Sequence, residues 1–321
     1  MCTFNGEKYL KEQIESIINQ TYPVYEIIIQ DDNSTDHTME ILRDYERKFA
    51  NIHVFRNETQ EGINKNFFSA IDRATGDYIA LSDQDDVWHP EKIEMQIPYS
   101  DDYLLIASSS KPFASGNNVK IYFDERKIKI HLEREIYVNM IAGHTMLFKK
   151  SFVEKIPDLE LWCDYFLYDH VIAIVAAAYN SITFLPQVLV HQRRHINSAS
   201  YTEPINYEKT LPNVFLFIGR TFIQYFRLRP KMRTHFKHLY RLLEAIDISS
   251  EEKKNAMALA GYHSRSTFAS YCGLTVLCVK LRKILFYAEE KNTVLSILRA
   301  LYFPISCSDY FRYMSKPRKN Y

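Results

Sequence analysis

Between residues 7 and 20 the apolar side chains Leu10, Ile14, Ile17 and Ile18 recur at helical spacing, with Lys8, Lys11 and Glu15 on the other faces. That pattern predicts an amphipathic helix, and Tyr22-Pro23 ends it because proline disfavours helix in its predecessor. Glu26-Ile27-Ile28-Ile29-Gln30 follows, a β-branched run without alternation, which predicts a parallel strand covered on both faces. Ser34, Thr35 or Asp36 can cap a second helix whose buried stripe is Ile41, Leu42 and Tyr45. Residues 52–55 read as a second strand, 64–74 as a third helix and 77–81 as a third strand. Strands alternating with helices of this size predict βαβ crossovers and an α/β, doubly wound, mostly parallel sheet. Only residues 1–4 precede the first loop, so the first strand is expected truncated: a stub, or a chain that starts late, the second being the better reading.

From about residue 100 to 200 the pattern becomes mixed, with a buried helix expected over 171–179 and a strand-like run over 182–190 interrupted by Pro186. Beyond residue 205 the chain reads as helical. Phe215, Phe217, Phe222, Tyr225, Phe226 and Tyr240 interleave there with Arg220, Arg227, Arg229, Lys231, Arg233, Lys237 and Arg241. The expected boundary near residues 201–207 divides a domain of residues 1–204 from a basic, aromatic-rich helical region of residues 205–321.

Composition sharpens this division. The 321 residues are 46% hydrophobic and 25% charged, enough to bury one large core or two modest ones. The net charge of +1 argues against a general nucleic-acid coater, yet it conceals a split. Residues 205–321 hold 20 Lys and Arg against 8 Asp and Glu, a net of +12, which leaves −11 for residues 1–204. Different partners are expected for the two halves. No run of about 18 apolar residues predicts a bilayer-spanning helix. The first residues carry no basic start or apolar segment of a secretion signal. Five scattered cysteines without metal-ligand spacing predict reduced thiols and a cytoplasmic setting.

The strongest chemical signal is Ser82-Asp83-Gln84-Asp85-Asp86-Val87-Trp88, directly after a predicted strand. Three carboxylates in four residues repel one another and need a cation or hydrogen bonds. The carboxyl end of a parallel strand faces the ligand crevice of such sheets, and hard oxygen ligands suit Mg²⁺ or Mn²⁺ beside phosphates. A plain acidic surface turn is the alternative, and spacing alone leaves the two even. Trp88 is expected to pack beneath the turn or to offer a platform for a sugar ring. Asp31-Asp32-Asn33-Ser34-Thr35-Asp36 forms a second cluster at a strand's carboxyl end. A helix cap explains Ser34 to Asp36 well and Asp31 and Asp32 less; carboxylates there can accept N–H groups of a base or O–H groups of a ribose.

Four motifs fall in a fixed order: Thr3-Phe4-Asn5-Gly6; Asp31 to Asp36; Gly62 with Asn66; and Gly76-Asp77-Tyr78-Ile79 running into Asp83-Gln84-Asp85-Asp86. In that order the chain resembles a family 2 glycosyltransferase of GT-A fold, bacterial rhamnosyltransferase-like members in particular. The resemblance implies a nucleotide-diphospho-sugar donor, with Thr3, Asn5, Asp31 and Asp32 at the nucleoside and Asn66 among the donor contacts. It implies Asp83 at the ribose, Asp85 at the metal, and Asp86 adjacent. More weakly, Gly143-His144 is similar to the segment lining the donor-sugar and acceptor pocket, where Asp86 and Trp88 are also placed. Asp169, in Tyr168-Asp169-His170, matches the acidic base position. Arg193-Arg194-His195 matches the basic loop over the diphosphate, with His195 joining the metal shell. Residues beyond 205 share no motif with the family.

The expected reaction is an inverting transfer onto an acceptor hydroxyl of a bacterial surface glycan, with Mg²⁺ or Mn²⁺ assisting departure of the diphosphate. Asp169 takes the hydroxyl proton, its helix-cap alternative being compatible with that role. A sugar-phosphate nucleotidyltransferase and a non-catalytic nucleotide-sugar-binding relative are the competing readings. The first usually wants a glycine-rich basic loop where this chain has Thr3-Phe4-Asn5-Gly6. The basic region suits an anionic membrane surface or a lipid-linked acceptor, against ordinary helices with snorkelling Lys and Arg. No nucleic-acid reading motif is found.

Overall fold

The computed structural model describes residues 1–116, 119–121, 129–196, 211–286 and 292–315. The expected boundary at 204/205 lies outside the described residues. Among the described residues there are eight strands: β1 (Cys2–Thr3), β2 (Ile27–Asp31), β3 (Ile52–Arg56), β4 (Tyr78–Ala80), β5 (Val87–Trp88), β6 (Leu105–Ala114), β7 (Leu147–Lys149) and β8 (Ile182–Arg194). The first three form a parallel ladder in the order β1-β2-β3, separated in sequence by the helices Leu10–Ile18 and Thr38–Lys48. β2 is buried along its whole length, as its unbroken β-branched run predicts. β1 is a two-residue stub, and the Cys2 amide donates to Ser82 O at 3.2 Å, joining the two sheets.

The second sheet runs β4-β7-β6-β8-β5 and is more mixed than expected. Only β6 and β8 pair in parallel; β4–β7, β6–β7 and β5–β8 are antiparallel. The α/β class holds, but strand direction after residue 100 is set by tertiary pairing that hydrophobic periodicity does not encode. Pro186 falls where the β6–β8 register slips, between Leu185↔Ser108 and Val188↔Ser109, a bulge that accommodates its missing N–H. The strand then continues to Arg194, so Arg193 and Arg194 pair with Phe113 and Ala114 on a strand instead of occupying a loop.

The helix Tyr168–Ala178 is buried on every side from Val171 onward. One hydrophobic core joins it to the C-terminal helices Leu211–Ala245, Glu251–Ser264, Phe268–Lys280 and Thr293–Ser306. Tyr137 packs edge-on against Phe236, His263 and Phe303 at that junction. Among the described residues no helix is long and apolar enough to cross a membrane. All five cysteines are free thiols. A cavity of about 550 Å³ opens between β2 and β4, lined by Ile28, Phe67, Ile79 and Trp88 among others, and Asp83 to Asp86 stay outside it.

Candidate active site

The acidic turn between β4 and β5 is held from three sides. Gln13 is the one polar residue buried on the first helix's apolar face, and its amide donates to Ser82 Oγ at 2.7 Å. Ser82 Oγ donates in turn to Asp83 O at 2.9 Å. Gln84 pairs with the Phe4 backbone, accepting its N–H at 2.8 Å and donating to its carbonyl at 2.9 Å. The turn thereby docks on the Thr3-to-Gly6 loop. A Cβ at Gly6 would lie 2.2 Å from Gln84 Oε1, so any larger residue there would push the Gln84 amide off the Phe4 backbone.

Within the turn the three carboxylates have different surroundings. Asp86 is buried; Oδ1 accepts the Arg193 amide at 3.0 Å, and Oδ2 has no hydrogen-bond partner among the described residues. His144 Nδ1 lies 3.7 Å from that oxygen and 3.6 Å from Asp83 Oδ2, while its buried Nε2 also lacks a partner. Burial pushes the Asp86 carboxyl up to about 7, with Asp83 and Asp85 adding to the rise and His144 opposing it. Burial alone would lower the His144 imidazole, but Asp86 and Asp83 outweigh it and the net shift is upward. Asp85 instead pairs with His195 Nε2 at 2.8 Å.

Arg193 is engaged inside the protein. Its Nε donates to Asp85 O at 2.8 Å, Nη2 pairs with Glu12, and the guanidinium lies 4.7 Å from the Tyr9 ring centroid and 4.6 Å from that of Phe113. This side chain braces the turn against the first helix. Arg194 is half-buried and interacts electrostatically with Asp86, Asp85 and Asp83.

The second acidic pair is also spoken for. Asp31 is fully buried and accepts from Thr3 Oγ1 at 2.8 Å, Ser34 N at 2.8 Å and Ser34 Oγ at 2.5 Å. Asp32 accepts from Glu61 N at 2.7 Å, Gly62 N at 2.8 Å and Asn57 Nδ2 at 2.8 Å, fixing the loop where Gly62 takes φ +88°. Asn66 is buried, donating to Gln30 O at 3.0 Å and accepting from Asn57 at 3.1 Å. Asn5, exposed at φ 48°, keeps its side chain on Thr35 N at 2.8 Å. Ser34 therefore serves Asp31 and Asn5 instead of capping the second helix; Asp36 accepts the Thr38 amide at 3.0 Å in its place.

Asp169 sits in the first turn of the helix Tyr168–Ala178, whose entry is fixed by Asn64. Asn64 Oδ1 accepts the Tyr168 amide at 3.0 Å and Nδ2 donates to Phe166 O at 2.8 Å. Asp169 Oδ2 accepts Gly143 N at 3.2 Å and Oδ1 accepts His170 N at 2.8 Å. Leu167, not Asp169, occupies the cap position. Burial raises the Asp169 carboxyl to about 6, the two N–H bonds pull it down, and Asp83 pushes it up. Gly143 lets the two segments meet: a Cβ would lie 2.5 Å from Tyr168 Oη and 3.2 Å from Asp169 Cβ.

Asp83, Asp86 and His144 offer one ligand atom each within 4.8 Å of one another. Two carboxylate oxygens and one imidazole nitrogen suit Mn²⁺, or Mg²⁺ less well. The unpartnered Asp86 Oδ2, 3.7 Å from His144 Nδ1, is the buried atom that such a cation would engage. The donor set therefore fits a divalent ion. This set differs from the expected Asp85 and His195, which pair with each other. Trp88 is 4% exposed. It is buried in the core, with Lys92 Nζ 4.1 Å from its ring centroid. Sequence reasoning missed Gln13, Gln84, Asn64 and Glu12; an isolated Gln on an apolar helix face was the legible signal for the first.

Comparison with known proteins agrees with this architecture. The profile described as "Glycosyl transferase family 2" matches residues 1–156 of this chain. Two curated relatives match it in part. The putative teichuronic acid biosynthesis glycosyltransferase TuaG of Bacillus subtilis is 37% identical over 97 residues, 30% of this chain and 38% of TuaG. The dTDP-rhamnosyl transferase RfbG of Shigella flexneri is 38% identical over 102 residues, 30% of this chain and 35% of RfbG. The matches thus span little more than a third of those two proteins. Among solved structures, S. aureus TarS 1-349 in complex with UDP-GlcNAc superposes with a TM-score of 0.57 at 16% identity, covering 97% of this chain and 88% of that one. The mannosyltransferase PcManGT from Pyrobaculum calidifontis, in complex with GDP-Man and Mn²⁺, gives 0.52 at 14% identity, covering 98% and 86%. These two likenesses concern the fold.

Proposed function

We propose that the protein is an inverting glycosyltransferase that moves a sugar from a nucleotide-diphospho-sugar to a hydroxyl of a bacterial surface glycan. The observation that carries this reading is the Gly143–Asp169 hydrogen bond, which sets a carboxylate of raised pKa beside the Asp83–Asp86–His144 cluster. Asp169 takes the acceptor hydroxyl's proton as that oxygen attacks the anomeric carbon. Its raised pKa makes it a better base than an ordinary carboxylate while leaving it ionised at neutral pH.

Asp83, Asp86 and His144 would hold Mg²⁺ or Mn²⁺, with Asp85 and His195 at the rim. A divalent cation supplies charge stabilisation for the departing diphosphate. Arg194 adds a cation on the same side, whereas Arg193 keeps the turn in place through Asp85, Asp86 and Glu12. The nucleoside is assigned to the rim formed by Thr3, Asn5 and Asp32, which Asp31 and Asn66 hold in shape through their hydrogen bonds to Ser34, Thr3, Gln30 and Asn57. The acceptor is assigned to a glycan or lipid-linked oligosaccharide at the cytoplasmic face of the membrane. Its partner on the protein is the basic C-terminal region.

Incubation of the protein with a panel of nucleotide-diphospho-sugars and Mn²⁺, without acceptor, tests the reading. Slow hydrolysis of one donor, abolished by Asp83→Asn with Asp86→Asn, is expected. Release of pyrophosphate from a nucleoside triphosphate and a sugar phosphate would favour the nucleotidyltransferase reading instead.

A further inference from the structure

Two C-terminal helices turn apolar side chains outward. On the helix Leu211–Ala245 the buried stripe includes Leu228, Met232, Phe236, Leu239 and Leu243. Its outer face begins with Leu216, Ile223 and Phe226, and Ile223 is 72% and Phe226 70% exposed. The helix Thr293–Ser306 buries Ser296, Ala300 and Phe303 and presents Val294, Leu295, Leu298 and Leu301, with Val294 65% and Leu298 54% exposed. Phe222 of the first helix and Tyr302 of the second have ring centroids 5.9 Å apart, so the two helices lie side by side there. An exposed single Leu is ordinary; a cluster from two adjacent helices marks an interaction surface.

The charge of the same helices identifies the partner. Thr293–Ser306 carries Arg299 and no acid, and Leu211–Ala245 carries seven Arg and Lys against Glu244 alone. We propose that this paired face docks the protein on an anionic membrane surface. The aliphatic side chains enter the acyl boundary, and Arg220, Arg227 and Arg299 lie at the headgroup phosphates. This is the arrangement of an interfacial amphipathic helix, apolar on one side of a line of basic residues. A second copy of the chain is disfavoured, because it would bring one +12 segment against another. Among the described residues no helix is both long and apolar enough to span, so the proposed contact is with the surface. The inference deepens the proposed function by naming the phase in which the acceptor lies, and it rests on that reading for its purpose alone.

The test is co-sedimentation of the full chain with vesicles of phosphatidylcholine alone and of phosphatidylcholine with phosphatidylglycerol. Binding to the anionic vesicles only, weakening as salt rises, is expected. Ile223→Glu with Leu298→Glu should lower partitioning about 100-fold or more, and Arg220→Gln about fivefold. Both substitutions fall on the protein's outer faces, and an unchanged melting temperature with unchanged donor hydrolysis shows that fold and site are intact. Absence of binding by the parent protein overturns the proposal, as does equal binding by the double variant. Light scattering that shows a dimer lost in the double variant, without vesicle binding, would assign the face to a second copy. A vesicle result of either sign is readable even if no donor is hydrolysed, so the two proposals fail separately.

Discussion

The backbone N–H of Gly143 donates to Asp169 Oδ2 at 3.2 Å, and His144, the next residue, approaches both Asp83 and Asp86. A carboxylate on one element and a cation-binding cluster on another are thus tied through a single peptide unit. In the reaction proposed above, this link would couple proton removal to departure of the diphosphate.

If Asp169 is the base, Asp169→Asn should lower kcat by about 10² to 10⁴, the range a positioned general base contributes. The KM for the donor should change little, since the side chain is directed to the acceptor. Steady-state rates with saturating Mn²⁺ decide this, and a kcat within tenfold of the parent would exclude Asp169 from that role.

The pH dependence follows from the same carboxyl. Its pKa is raised to about 6, so kcat should fall tenfold per unit below that pH as the base becomes protonated. Stability has the opposite sign. The folded state holds this proton more tightly than the unfolded chain, so Asp169 costs stability as pH rises from its ordinary titration range through about 6. Asp169→Asn should therefore raise Tm more at pH 8 than at pH 5, which thermal melts at the two values measure.

His144→Gln should weaken Mn²⁺ binding by about 10- to 100-fold, a loss of the size already seen for residues that only support metal ligands. His195→Gln should have a smaller effect, because His195 pairs with Asp85, which is outside the Asp83–Asp86–His144 set. Titration followed by the electron paramagnetic resonance of free Mn²⁺ ranks the two. The reverse order would return the metal to Asp85 and His195.

Gly143→Ala inserts a methyl 2.5 Å from Tyr168 Oη. Tyr168 is buried and stacked on Phe67 with centroids 4.0 Å apart, so it has little room to yield. A loss of about 1–3 kcal/mol is expected by denaturant unfolding, as for other overpacked cores. Unchanged stability would mean that the Gly143–Tyr168 approach is looser than described.

The alternating helices and strands of the first 80 residues were legible because each buries a single stripe or an unbroken β-branched run, as Ile27 to Ile29 do. The acidic turn was legible as a cluster, but its internal division was not. Which carboxylate is buried depends on the Arg193 amide and on His144, residues more than 50 positions away in sequence. Asp31 and Asp32 were legible as acids at a strand's carboxyl end, but not as acceptors of hydrogen bonds from the protein itself. Their partners, Ser34, Asn57 and the Glu61–Gly62 amides, are set by loop geometry. Among the aromatic residues interleaved with basic ones beyond residue 205, Tyr225 is buried while Phe222 and Phe226 stay exposed, a division the interleaving does not encode.

Calorimetric titration of nucleoside diphosphates into the folded protein, with and without Mn²⁺, tests most directly whether the acidic turn is a donor site. The expected result is binding that requires Mn²⁺ and disappears in Asp83→Asn with Asp86→Asn, while Asp31→Asn acts mainly on stability. Binding that is indifferent to Mn²⁺, or equal in the double variant, would contradict it.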